Sequence, residues 1–300
     1  MVHYLVYILF RIAVFLISII PFRLLYVFSD LMALFLKKIL RYRYTVIYKN
    51  LKACFPEKSD TEIRKIISNF YKNLSDIILE SVKGFTMTEQ QLHSRYQFKD
   101  KSLIDKYFDA DRRVVCVTGH FCNWEWGVLI LGRQLKHQTS GVYKPVVNKY
   151  IDAYIKKKRN KLGMGLLPMD SALKKMRGQF DKTPLFFLIA DQSPSSIRKA
   201  VWVDFFGMKT ACPPGPELTT RLLDTPVFFV LPQRTKRGYY EVEAVLVCEK
   251  PSEHPKGAIM QQFMSLLENR IRSNPSHWLW SHRRWKHKYE TTEKIKNGIF

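Results

Sequence analysis

Val114-Val115-Cys116-Val117-Thr118-Gly119-His120-Phe121-Cys122-Asn123-Trp124-Glu125 passes from an unbroken apolar run, through a glycine, into polar and aromatic residues. A short continuous apolar run that ends at a glycine reads as a strand buried on both faces, the kind found in parallel sheets. Asn123 is a favoured helix-capping residue, so a helix is predicted to begin at Trp124. Strand, turn and helix together put His120 at the carboxyl end of a strand, where open α/β sheets bind ligands. Glu125 then falls in the first helical turn, within reach of the imidazole. A histidine accepts a proton near neutrality, and a neighbouring carboxylate orients the ring and stabilises the imidazolium. The spacing carries little weight by itself. With 8 histidines and 26 acidic residues in 300, one such pair is an ordinary coincidence, and a capped helix beside a packed histidine explains it equally well.

Outward from this stretch the pattern repeats. Strands are predicted at 114–118, 140–143, 184–190, 200–205, 227–231 and 239–247, and helices near 124–135, 148–161, 171–180, 216–223 and 258–273, which is the alternation of an α/β layer structure. Before it, Ile63, Ile66, Ile67, Phe70, Leu74, Ile77 and Ile78 recur at helical spacing over 60–83, with Ser59 and Asp60 available as caps. Three segments are therefore expected: a membrane-anchor helix over 1–22, a helical membrane-associated region over 23–112, and a catalytic α/β domain over 113–300.

Composition narrows the partners. The chain is 46% hydrophobic and 14% aromatic, enough to fill a core, and 49 basic against 26 acidic residues give a net charge of +23. Such an excess implies a polyanionic partner, either nucleic acid or a phosphate-bearing membrane surface. The five cysteines (Cys54, Cys116, Cys122, Cys212, Cys248) show no metal-binding spacing and no even framework for disulfides, which fits a reducing location. Tyr4 to Ile20 is nearly all apolar, interrupted by Arg11 and Ser18 and closed by Pro21. It reads either as a short span or as one of a monotopic pair with Leu24 to Leu40. Lys37, Lys38, Arg41, Arg43, Lys49 and Lys52 follow it, so the positive-inside rule puts the rest of the chain in the cytoplasm.

Gly119-His120-Phe121-Cys122-Asn123-Trp124-Glu125 resembles the GHFGNWE signature of the bacterial lipid A lauroyl/myristoyl acyltransferases, within the lysophospholipid acyltransferase superfamily. Val142-Tyr143-Lys144-Pro145 with Asn148, then Arg159 and Gly163, is similar to a further family stretch. Ala190-Asp191-Gln192, Phe205-Phe206-Gly207, Pro214-Gly215-Pro216 and the closing Trp278-Leu279-Trp280-Ser281-His282-Arg283-Arg284-Trp285-Lys286 also resemble family segments. Asn50-Leu51 and Phe55-Pro56 extend the likeness to nearly the whole chain. Cys122 stands where the signature has glycine, and His277 where glutamine commonly precedes the tryptophan.

The resemblance implies an αβα sandwich with a central mixed sheet, and an inner-membrane enzyme of lipopolysaccharide biosynthesis. It also implies acyl-carrier protein as acyl donor, a lipid A precursor as acceptor, direct transfer, and no cofactor or metal. His120 would be the general base and Glu125 its partner. Arg159 is a candidate for positioning or charge stabilisation, although it is also one more charge in a basic run. Lys144, Asn148, Asp191, Gln192 and Asn123 are candidates for substrate contact, with capping and hydrogen-bonding roles as the plainer reading. Cys122 as an acyl-accepting nucleophile is the less favoured mechanism, since a thiol there is more often a small buried hydrophobe. The basic and aromatic tail suits a headgroup region, a nucleic-acid strand or a core helix. A lyso-phospholipid or aminolipid hydroxyl would use the same base. An anionic-lipid-binding adaptor without turnover, and a nucleic-acid binder, are the other classes consistent with the charge.

Overall fold

The computed structural model describes residues 1–289; residues 290–300, the end of the expected catalytic segment, lie outside the described residues. In chain order the elements are α1 (Val2–Ile19), α2 (Phe22–Leu34), α3 (Tyr44–Cys54), α4 (Asp60–Gly84), α5 (Glu89–His93), β1 (Tyr96–Phe98), α6 (Ser102–Asp109), β2 (Val114–Thr118), α7 (Trp124–Gln134), β3 (Gln138–Tyr143), α8 (Lys149–Lys161), β4 (Gly165–Pro168), α9 (Ala172–Met176), β5 (Pro184–Ile189), β6 (Val201–Phe205), β7 (Met208–Cys212), α10 (Gly215–Leu223), β8 (Val227–Lys236), β9 (Tyr239–Cys248) and α11 (Ala258–Ser273).

Seven strands form the main sheet in the order β1-β9-β8-β2-β5-β3-β4. All neighbouring pairs are parallel except β8 and β9, so the sheet is mixed and the chain is an α/β protein. The remaining pair, β6 and β7, is a separate antiparallel hairpin. β2 lies near the middle, between β8 and β5, and Val114 to Val117 are buried, which is why they read as a continuous apolar run. The short β1 and β4, at the two edges, escaped the sequence reading because strands of three and four residues show no usable period.

Pro21 divides the apolar N-terminus, ending α1 and opening α2 with an extended backbone. α4 opens on a capping box in which Ser59 and Glu62 satisfy each other's backbone N–H groups. Its inward stripe of Ile63, Ile67, Phe70 and Leu74 joins a core that continues without a break from Ala33 to Trp280. Each such side chain contributes about 1.5–3 kcal/mol of burial. β1 belongs to the segment expected to be helical, yet it pairs with β9 through Tyr96↔Tyr240.

Candidate active site

The register of the two central parallel strands builds the site. Thr118, the last residue of β2, stands opposite Ile189, the last residue of β5. Two residues further on, His120 and Asp191 therefore leave the sheet side by side, on strands about 4.8 Å apart. His120 Nδ1 lies 2.7 Å from Asp191 Oδ1, and the His120 backbone N–H donates to Asp191 Oδ2 at 2.8 Å. A Cβ at position 119 would stand 3.2 Å from that same Oδ2 and 3.2 Å from Leu267, so glycine permits the close approach of loop and carboxylate.

Asp191 is almost fully buried at 1% exposure, and Trp278 Nε1 donates to its Oδ2 at 2.7 Å. Trp278 reaches it because the closing segment pairs with the histidine loop: Cys122 N–H donates to the His277 carbonyl and Leu279 N–H to the His120 carbonyl. Burial alone would raise Asp191, but the His120 charge and three hydrogen bonds hold it below the usual carboxylate range. For His120 burial opposes the charged form. Asp191, through charge and hydrogen bond, and Glu125, through charge, outweigh it and raise the imidazole above its ordinary value of 6.5. With Nδ1–H directed at Asp191, Nε2 carries the lone pair, and its neighbour is the Gln192 amide at 3.2 Å. The ring's side chain remains 19% exposed.

The expectation that Glu125 orients the imidazole is corrected here: the carboxylate bonded to the ring is Asp191. Asn123 does cap α7, through Oδ1 to Trp126 N–H, and this turns the Glu125 side chain toward Arg159. Glu125 Oε2 lies 2.8 Å from Arg159 Nη2, and Oε1 accepts from Trp124 Nε1 at 3.1 Å. The Trp124 ring meets the His120 ring edge-on at 5.0 Å. Arg159 is 14% exposed, and its Nε is buried without a hydrogen-bond partner, so an unsatisfied donor lies beside the site.

The remaining candidates separate. Asn123 is fully buried and its Nδ2 donates to Glu80 Oε2 at 2.7 Å, so both polar atoms are engaged within the protein. Asn148 caps α8 and its Nδ2 donates to the His3 carbonyl at 2.7 Å. Lys144 is exposed on the loop between β3 and α8. The headgroup and nucleic-acid readings of the closing motif are corrected too. Trp278, Trp280 and Arg284 are buried, and Arg284 donates to the Ala211 carbonyl and Cys212 Sγ, fastening the β6–β7 hairpin.

Two residues that sequence reasoning missed support the site. Trp278 stands out in the closing motif, but its role beside Asp191 does not, since that partner is 87 residues away. Glu80 did leave one. It falls three residues after Ile77 on the apolar stripe of α4, and a carboxylate there needs partners. It accepts from Tyr26, Asn123 and Tyr240. Burial raises its proton affinity against those bonds. Cys122 sits at φ +50°, in the left-handed region that favours glycine, and burial pushes its thiol up to about 12.

The family model described as bacterial lipid A biosynthesis acyltransferase matches residues 1–287. Comparison with curated proteins gave no match. The family is membrane-associated, and α1 is long and apolar enough to cross a membrane. Fold, ordered motifs and a match over almost the entire length agree: the chain belongs to the bacterial lipid A biosynthesis acyltransferase family and is an acyltransferase.

Proposed function

We propose that the chain moves a fatty acyl group from acyl-carrier protein to a hydroxyl of a lipid A precursor at the cytoplasmic face of the inner membrane, with His120 as general base and no bound cofactor. The observation that carries this reading is the 2.7 Å contact between His120 Nδ1 and Asp191, which fixes one ring nitrogen as donor and frees the other as acceptor. Nε2 takes the hydroxyl proton as the acceptor oxygen attacks the thioester carbonyl. The tetrahedral species collapses, the carbon–sulfur bond breaks, and the departing thiolate takes the proton back from the imidazolium. Asp191 acts through the ring as a positioning residue.

The backbone N–H groups of His120, Phe121 and Cys122 are already bonded, to Asp191, Gly119 and His277. Stabilisation of the developing oxyanion is therefore assigned to the Arg159 guanidinium, which Glu125 holds in place. The adaptor reading gives way because the family is one of enzymes. The experiment is incubation of purified protein with acyl-carrier-protein thioester and a lipid A precursor, read by mass spectrometry. Transfer should fall by about 10²–10⁴-fold in His120→Ala. Undiminished transfer in that variant refutes the mechanism, and transfer only to a lysophospholipid reassigns the acceptor.

A further inference from the structure

α1 is apolar around most of its circumference, with Arg11 on one flank, yet only a narrow stripe of it touches the body. Tyr7, Phe10, Val14 and Ile17 are shielded, while Leu5, Leu9, Ile12, Leu16 and Ile19, on the open side, are 49% to 64% exposed. At 1.5 Å per residue the helix is about 27 Å long, and both of its ends are fastened. Near the start, Asn148 Nδ2 donates to the His3 carbonyl at 2.7 Å. At the finish, Lys83 Nζ donates to the carbonyls of Ile17, Ser18 and Ile20 at 3.2, 2.6 and 2.7 Å. Between these points Tyr150 and Tyr154 of α8 pack edge-on against Tyr4 and Phe10.

α8 is strongly basic, and Lys158 lies on the side of it that meets α1. Arg11 stacks 4.8 Å from the centre of the Tyr154 ring, and Lys158 sits 5.5 Å from the same ring. Among the described residues, Lys157, Lys158 and Lys161 form no ion pair. An open apolar stripe thus runs beside a row of unpaired cations. α2 continues the apolar side with exposed Leu24, Val27, Phe28 and Leu31, and Val147, at the entry to α8, is 86% exposed.

We infer that α1 lies in the plane of an anionic bilayer surface, clasped lengthwise against the catalytic body, and does not cross the membrane. A crossing would carry His3 to the far side and draw Asn148 and the start of α8 after it, forcing lysines into hydrocarbon. Lying flat, the stripe from Leu5 to Ile19 enters the boundary between headgroups and acyl chains while the α8 lysines meet lipid phosphates.

The test uses the full chain with a hydrophilic epitope before Met1 and a different one after Phe300, in sealed inverted inner-membrane vesicles treated with protease. Both epitopes should be digested. Protection of the first with digestion of the second means that α1 spans, and overturns the inference. In parallel, the purified protein should float with phosphatidylethanolamine–phosphatidylglycerol vesicles and bind much less to phosphatidylcholine vesicles. Leu9→Glu/Leu16→Glu should lose flotation while keeping its thermal transition, because both side chains face away from the body. Retained flotation in that variant, or a wild-type dimer that forms without lipid and is lost in the variant, would assign the face to something other than a bilayer.

Discussion

At the scale of single residues, His120 links acidity to rate. A base with a raised proton affinity is inactive until the pH passes that raised value. Turnover at limiting substrate should therefore climb with pH, with a midpoint above 6.5, the ordinary imidazole value. His277 and His282 are driven down to about 4, chiefly by burial. They stay neutral throughout, so the limb belongs to His120. In Asp191→Asn the charge that raises the imidazole is gone. The midpoint should move to lower pH while the plateau falls by about 10²–10⁴-fold, and an unmoved midpoint would mean that Asp191 only packs against the ring. The same shift has a stability consequence of opposite sense. The folded state binds the proton more tightly than the unfolded chain, so this contribution is complete below the unfolded value and fades as pH climbs through the folded one. Cys122 makes the contrasting case. Its thiol is held protonated and its backbone is strained by about 1–2 kcal/mol. Cys122→Gly relieves the strain, loses a small buried side chain, and should retain acyl transfer. A loss beyond about tenfold, or 1.4 kcal/mol in the barrier, would restore the thiol to the mechanism.

At the scale of elements, buried carboxylates on α4 tie the N-terminal helices to the sheet. Asp76 pairs with Arg234 at 2.7 Å and Arg237 at 2.6 Å, and accepts from Ser29 of α2 at 2.6 Å. One turn on, Glu80 joins Tyr26 of α2, Tyr240 of β9 and the Asn123 cap of α7. Asp76→Ala leaves Arg234 buried without its carboxylate and should cost about 3–5 kcal/mol, seen as a lowered thermal transition in detergent. Four elements meet at these two side chains, so the loss should reach the helix start that carries Glu125. An unchanged transition would mean that the arginines find water instead.

For the molecule as a whole, the charge of +23 acts at long range. Each lysine or arginine near an anionic surface contributes about 1 kcal/mol at moderate salt, and the Debye length shortens from ~10 Å at 0.1 M to ~3 Å at 1 M. Flotation with phosphatidylglycerol-containing vesicles should therefore weaken as salt rises, yet persist in part, because the apolar side of α1 and α2 is not screened. Complete release at high salt would mean that the apolar helices stay out of the lipid.

Local sequence was enough to place the central strands and the helix starts, and it singled out His120 as the candidate base. An apolar run before Gly119, a capping asparagine and a 3.6-residue stripe are local consequences of backbone geometry and burial. Asp191 follows the apolar run Pro184 to Ala190 as His120 follows Val114 to Thr118, so both stand just beyond strand ends. The register that brings them to 2.7 Å, the turn of Glu125 toward Arg159, the burial of the closing tryptophans and the clasp on α1 depended on tertiary structure. These contacts join residues from 34 to 145 positions apart, and they follow from how the layers pack, which no periodicity along the chain encodes.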